Sequence, residues 1–252
     1  MLAITLVLGT GILVLAGVVK GVIGMGLPTV GVGLLSLFLA PAQAAALLIV
    51  PSAVTNVWQF ATGPRRAPIA RRFLTMMIGV ACGTLLGGAV LGGLTSPLAH
   101  PVLGATLVLY GLLGLSRITL RLPTRHEPWL SPLMGFATGL ITGTTGVSVM
   151  PAAPYLQALA LERDDLVQAL GLTFTVSTFA LALTLALPGS GADVMFDDPM
   201  LILASGAALL PAVVGMELGR VARLRLDPAT FRKVFFGGLA VLGVYMVARG
   251  LL

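Results

Sequence analysis

Eight apolar runs, nearly free of charge, take up most of this chain: residues 2–19, 27–62, 73–93, 101–116, 131–161, 166–187, 199–216 and 234–248. A helix needs about 20 apolar residues to cross the hydrocarbon core, so these runs predict about eight to ten membrane segments and almost no extramembranous domain. Composition agrees, with 57% hydrophobic and 10% charged residues, against roughly 25% charged in a soluble domain. A closed β-barrel also spans membranes, but its strands alternate apolar and polar residues, which Ala44–Val50 does not. The expected fold is all-α, a polytopic membrane helical bundle.

The net charge of +6 does not point to nucleic acid, because the basic residues sit in short loops between apolar runs rather than in one patch. In such loops they report orientation in the membrane. A lone cysteine, Cys82, leaves no intramolecular disulfide to form. The first twenty residues resemble the apolar part of a signal peptide, but no basic residue precedes them, so they are expected to stay as a helix.

The chain also repeats itself. At an offset of about 122 to 123, Gly17, Gly21 and Gly24 fall on Gly139, Gly143 and Gly146, and Pro28 falls on Pro151. Ala46 then meets Ala169, and Ser52 and Thr55 meet Thr175 and Thr178. Further on, Gly87 falls on Gly215 and Pro97 on Pro228. Glycine and alanine are common in membrane helices and align by chance, but glycine triplets followed in step by a proline and hydroxyl pairs favour duplication. The expected organisation is a first membrane repeat over 1–118, a cytoplasmic connecting loop over 119–130 and a second repeat over 131–252. Each repeat reads as a broken hairpin (2–40 and 131–161) followed by three spans, near 43–62, 73–93 and 100–117 and near 166–187, 199–219 and 232–251.

A hairpin contributes an even number of crossings, so each half crosses an odd number of times and the second half is expected to be inverted. Charge tests that parity. The loop with Arg65, Arg66, Arg71 and Arg72 has as its counterpart a loop with Asp193, Asp197 and Asp198; the loop at Ser96–His100 lacks Lys and Arg, whereas its counterpart carries Arg220, Arg223, Arg225, Arg232 and Lys233. Basic loops stay cytoplasmic, so residues 63–72, 117–128 and 220–233 are expected inside and both termini outside.

Inverted repeats are the architecture of many secondary transporters, whose substrates bind where discontinuous helices of the two halves meet. Here the discontinuities are Lys20–Pro28 and Thr142–Ser148. Closely spaced glycines with a proline break a helix, and in hydrocarbon such a break survives only when packed in protein or lining a polar cavity. Helices resuming after Gly24 and Gly26, or after Gly146, would offer N-terminal amides to an anion. The competing reading is that the glycines only let helices pack closely. Thr142, Thr144, Thr145 and Ser148 add hydroxyl donors at the second break, unless each bonds a carbonyl one turn back. Ser52 and Asn56 on the span after the first break, and Thr175 on its counterpart, complete the candidate substrate-binding set. Lys20 is either an intramembrane cation that attracts an anion or, if the hairpin crosses fully, a surface orientation signal. Glu217, one turn before Arg220, reads as half of an interfacial ion pair.

Catalysis finds little support. His100 and His126 lie beside prolines in loops, and no Cys, His, Asp and Glu cluster has ligand spacing, so neither enzyme chemistry nor a metal or other cofactor is expected. The string around Gly24 and Gly26 lacks the strand a nucleotide-binding turn requires. The segment Gly17-Val-Val-Lys-Gly-Val-Ile-Gly-Met-Gly-Leu-Pro28, its echo Gly139-Leu-Ile-Thr-Gly-Thr-Thr-Gly146 and the closing Asp227-Pro-Ala-Thr-Phe-Arg-Lys233 resemble the sulfite exporter TauE/SafE family over essentially the whole length. The resemblance implies transport of a small sulfur-containing anion such as sulfite, thiosulfate or a sulfonate, with export from the cytoplasm. The expected protein is thus a multi-pass transporter of the cell membrane whose partners are a small anion and the lipid bilayer. The rival readings are a membrane scaffold that transports nothing and a proton-coupled importer that would need Glu217.

Overall fold

A computed structural model describes residues 2–90, 92–116, 121–187 and 199–251. Regular structure among the described residues is helical, with no strand. Helix α1 (Leu2–Ile23) stops where Gly24 takes φ +78°, and α2 (Leu27–Leu35) starts after Gly26 at φ +103° with Pro28 in its first turn. Both glycines lie in the left-handed region that side chains disfavour, and proline suits a helix start, so the sequence Gly-Met-Gly-Leu-Pro encodes the break directly. Next come α3 (Pro41–Ala61), α4 (Arg66–Arg72), α5 (Leu74–Val90) and α6 (Ala99–Leu115). The second break repeats the device: α7 (Glu127–Thr145) ends at Gly146, φ +73°, and α8 (Ala152–Ala158) follows. Then α9 (Arg163–Ala186), α10 (Pro199–Ala207), α11 (Leu209–Ala222) and α12 (Pro228–Leu251) complete the described chain. Asp227 starts α12 by accepting the Thr230 amide at 2.9 Å and hydroxyl at 2.6 Å, which holds its carboxyl below the usual carboxylate range. Helix α7 opens at Glu127, inside the region expected to be a connecting loop, because Pro128 is at its N-terminal turn. The acidic loop with Asp193, Asp197 and Asp198, like residues 117–120 of the connection, lies outside the described residues.

Four helical stretches are long and apolar enough to cross a membrane: Pro41–Ala61, Arg163–Ala186, Met200–Ala222 and Pro228–Gly250. A fifth counts if Arg66–Arg72 and Leu74–Ala89, bent by 64°, form one span, and Val7–Ile23 and Ala99–Leu115 are shorter apolar helices. This is fewer than the eight to ten expected, because an apolar run is not a span. At about 1.5 Å per residue, the 9 residues of α2 and 7 of α8 reach less than half of a ~30 Å core. Both short helices pack on one long helix: Gly31 of α2 meets Leu48, and Gly146, ahead of α8, meets Ala45, both in the N-terminal half of α3.

Glycine-lined contacts set how the helices pair. Gly17 and Gly21 of α1 press on Ala212 and Met216 of α11, while Gly215 and Gly219 of α11 press on Val14 and Val18 of α1. The numbers rise together, so α1 and α11 run parallel. Gly79, Gly83 and Gly87 of α5 meet Pro132, Phe136 and Leu140 of α7 in the same sense, and Gly135, Gly139 and Gly143 return the contact on Met76, Val80 and Thr84. Helices α3 and α9 run antiparallel, with Gly63 against Gln168, Gly171 against Phe60 and Asn56 bonded to Thr178. Helices α6 and α12 also oppose, with Gly104 against Gly243 and Gly111 against Phe236. Small residues let these backbones touch where no hydrophobic driving force separates helix from lipid.

The expectation that Gly21 and Gly143 belong to the broken tips thus gives way to the packing reading, and only Gly24 and Gly146 of each triplet sit at the break. A Cβ on Gly139 would lie 2.3 Å from the Val80 carbonyl oxygen. Gly139→Val should therefore cost more than ~3 kcal/mol, read as a large fall in Tm and yield in detergent. Gly237→Ala, which meets nothing within 4 Å, should leave both unchanged.

Candidate functional site

Residues at the two breaks and on the two long antiparallel helices line a small cavity. Pro28 and Val32 of α2, Ala45, Leu48, Ile49 and Ser52 of α3, Thr142 of α7, Gly146 and Ser148 of the second break, and Ser177, Thr178 and Leu181 of α9 form its wall. The space open to the centre of a water molecule is about 10 Å³, near the minimum for one water. The described conformation is consequently closed to any anion of several atoms.

Polarity in this wall is concentrated in hydroxyls. Ser52 and Ser177 are buried with no hydrogen-bond partner in the protein, facing the cavity from α3 and α9. Buried polar groups are almost always bonded, so two orphans on one cavity make it the candidate site; the other such hydroxyl among the described residues, Ser36, is not on its wall. Ser148 is buried on the same wall. Next to Ser52, Pro51 inside α3 removes one backbone donor and adds to the local irregularity.

Behind that wall lies Lys20, 3% exposed. Its ammonium donates to Thr55 Oγ1 at 2.9 Å and, at closer range, to Asn56 Oδ1. Asn56 in turn donates from Nδ2 to Thr178 Oγ1 at 3.4 Å, and Thr178 donates to the Phe174 carbonyl at 2.7 Å. A chain of contacts therefore runs from Lys20 through fully buried Asn56 to the cavity wall. Lys20 is thus enclosed within the protein rather than on its surface.

The predicted residues divide by helical phase. Ser52, Thr142, Gly146 and Ser148 line the cavity; Asn56 and Lys20 stand behind it; Gly24 and Gly26 shape the turn that presents Pro28. Thr144 and Thr145 are buried but bond carbonyls of the preceding turn, Leu140 at 2.9 Å and Ile141 at 2.6 Å, and Thr142 likewise bonds Thr138 at 2.8 Å. Thr145 Oγ1 also accepts the Val147 amide at 3.2 Å, which steadies the break. Thr175 donates to Gly171 at 2.7 Å and is not on the cavity wall. Ser177 and Thr178 take that place, two and three residues on. Their phase was readable, because Phe174, Ser177, Thr178 and Leu181 recur at helical spacing on the buried face of α9.

Elsewhere the polar side chains fasten the basic end. Arg65 pairs with Asp165 at 2.9 Å, and Gln168 bonds the Phe60 carbonyl and the Arg65 amide. Arg72 forks onto Glu127 at 2.7 and 2.8 Å, and Arg232 caps the end of α6 through Gly114 and Ser116. Glu217 pairs with Arg220 at 2.8 Å, both exposed. His100 falls in the first turn of α6 rather than in a loop, and His126 in a short 3-10 turn. No group of three or more His, Cys, Asp or Glu able to hold a metal occurs among the described residues.

Residues 9–246 match the family described as Sulfite exporter TauE/SafE. Neither a curated protein nor a solved structure matches the chain.

The contact chain behind the cavity has a measurable signature. In a Lys20→Met and Asn56→Leu double-mutant cycle, chemical or thermal unfolding in detergent should return a coupling of about 1.5–3 kcal/mol, as for a buried hydrogen bond to a charged donor.

Proposed function

The chain belongs to the sulfite exporter TauE/SafE family, a family of membrane transporters of sulfur anions, and from that premise we propose that it exports a small sulfur oxyanion, such as sulfite or an organosulfonate, across the cell membrane through the central cavity. The observation that carries this reading is the pair of unpartnered hydroxyls, Ser52 and Ser177, offered from two helices to one small cavity. Hydroxyl donors suit an oxyanion because they bond its oxygens without placing a carboxylate or a metal beside it. The buried Lys20 ammonium supplies positive charge one residue behind the wall.

The halves are proposed to be inverted copies around this cavity. Exchanging them carries α1 against α11 into α7 against α5, both parallel, and sets α3 against α9 and α6 against α12, both antiparallel; an in-plane two-fold requires all four relations. The contacts also favour an offset of 132 in the later helices, since Gly21 meets Met216 and Gly219 as Gly143 meets Thr84 and Gly87. Gly83 then corresponds to Gly215, one turn from the sequence match at Gly87. The end fastened by Arg65, Arg72 and Arg232 is proposed to face the cytoplasm by the positive-inside rule. With the interior negative, each negative charge that leaves gains about 2.3 kcal/mol per 100 mV. Exposed and paired to Arg220, Glu217 has no contact with the cavity that an importer's coupling role would need.

Because the described cavity is closed, transport requires the breaks to move against α3 and α9. Purified protein in liposomes loaded with sulfite or methanesulfonate should show saturable efflux. Ser52→Ala with Ser177→Ala should lower the apparent affinity by about 10- to 100-fold, the loss expected for hydrogen bonds to a charged ligand, while Glu217→Gln leaves flux unchanged. Efflux indifferent to the serine pair would remove the cavity from the pathway.

A further inference from the structure

Resting on that reading of the cavity, we infer that Lys20 is a proton-binding group linked to the anion site, so that the anion binds together with the Lys20 proton. Among the described residues, Lys20 and Asp165 are the buried members of the Lys, Arg, Asp and Glu set. Asp165 has its counter-charge in Arg65. Lys20 has none: its acceptors are the neutral Thr55 hydroxyl and Asn56 amide oxygen.

The surroundings of Lys20 offer no substitute. Helix α2 and helix α3, which supply the first turn-back and both acceptors, contain no titratable residue. Helix α11, packed along α1, brings Glu217 and Arg220, which are exposed and bonded to each other. From α6 the Tyr110 hydroxyl reaches the break and donates to the Met25 sulfur at 3.1 Å. Helix α12 presents Phe235 to Gly26, and its Arg232 is engaged at the end of α6. Lys233 is exposed at the start of α12.

A cation enclosed by neutral dipoles and an anion enclosed by hydroxyls are each costly alone, and each supplies what the other lacks. The path between them is short: Lys20 to Asn56, Asn56 to Thr178, Thr178 on the wall. Linkage is reciprocal, so if the anion strengthens proton binding at Lys20, the proton strengthens anion binding in the cavity by the same factor. Lys20 acts through Asn56 and Thr178 and is a positioning residue, without contact with the anion in the described conformation.

The test uses the full chain in detergent and two anions, methanesulfonate and thiosulfate, that neither gain nor lose a proton between about pH 6 and 9, where lysine and histidine side chains titrate when perturbed. Isothermal titration in two buffers of different ionisation heat reads the protons taken up per anion. The expected result is uptake approaching one proton as pH rises, with affinity falling by up to about tenfold per pH unit. Lys20→Arg, which stays protonated, should bind with little pH dependence and no uptake, and Lys20→Gln should bind at least about tenfold more weakly without uptake. If Lys20→Gln does not fold, the wild-type pH profile and Lys20→Arg decide. Wild-type binding without proton uptake, or uptake that persists in Lys20→Arg, overturns the inference and leaves the anion site standing. Failure of the wild type to bind either anion overturns both.

Discussion

Backbone amides and carbonyls have no water to turn to inside a bilayer, and that constraint organises this molecule. A helix broken at Gly24 and Gly26, or at Gly146, frees polar groups that hydrocarbon cannot satisfy. Both breaks are accordingly enclosed, between α3 and α9 and against the glycine-lined partners of α1 and α7. Enclosure in turn requires close helix approach, which accounts for the stripes at Gly17 and Gly21, at Gly79, Gly83 and Gly87, and at Gly135, Gly139 and Gly143. Two kinds of glycine thus serve one purpose, some interrupting helices and the rest letting other helices surround the interruption.

Much of the architecture was legible in the sequence. Apolar runs covered every long helix, though two of them merged a long helix with the short one beside it, and the glycine-proline signature located both breaks. The number of spans was not legible, since hydropathy registers α2 and α8 as apolar without showing that they are too short to cross. Nor could spacing alone separate packing glycines from turn glycines: Gly21 and Gly24 differ only in whether a neighbouring helix touches them or the backbone turns there.

At the site, residue type was readable and direction was not. Thr142, Thr144 and Thr145 are adjacent in sequence, but each spends its proton on a carbonyl of the preceding turn, a local option that any helical threonine has. Serines 52 and 177 lack such bonds and so retain the free donors. Thr175 and Ser177 stand two positions apart on α9, nearly opposite in helical phase, so of the two threonines that the repeat alignment picked out, Thr178 reaches the cavity wall and Thr175 does not. The burial of Lys20 depended on how α3 and α11 pack around α1, which is a tertiary fact.

The proposed anion path requires two inverted halves sharing one cavity between their interrupted helices. It is tested most directly by single-cysteine accessibility in a Cys82→Ala background, with cysteines at Arg66, Leu98 and Arg225 and a membrane-impermeant thiol reagent applied to sealed vesicles of either orientation. Inversion predicts that Arg66 and Arg225 react from the cytoplasmic face and Leu98 only from the opposite face. Leu98 and Arg225 reacting from the same face would contradict it.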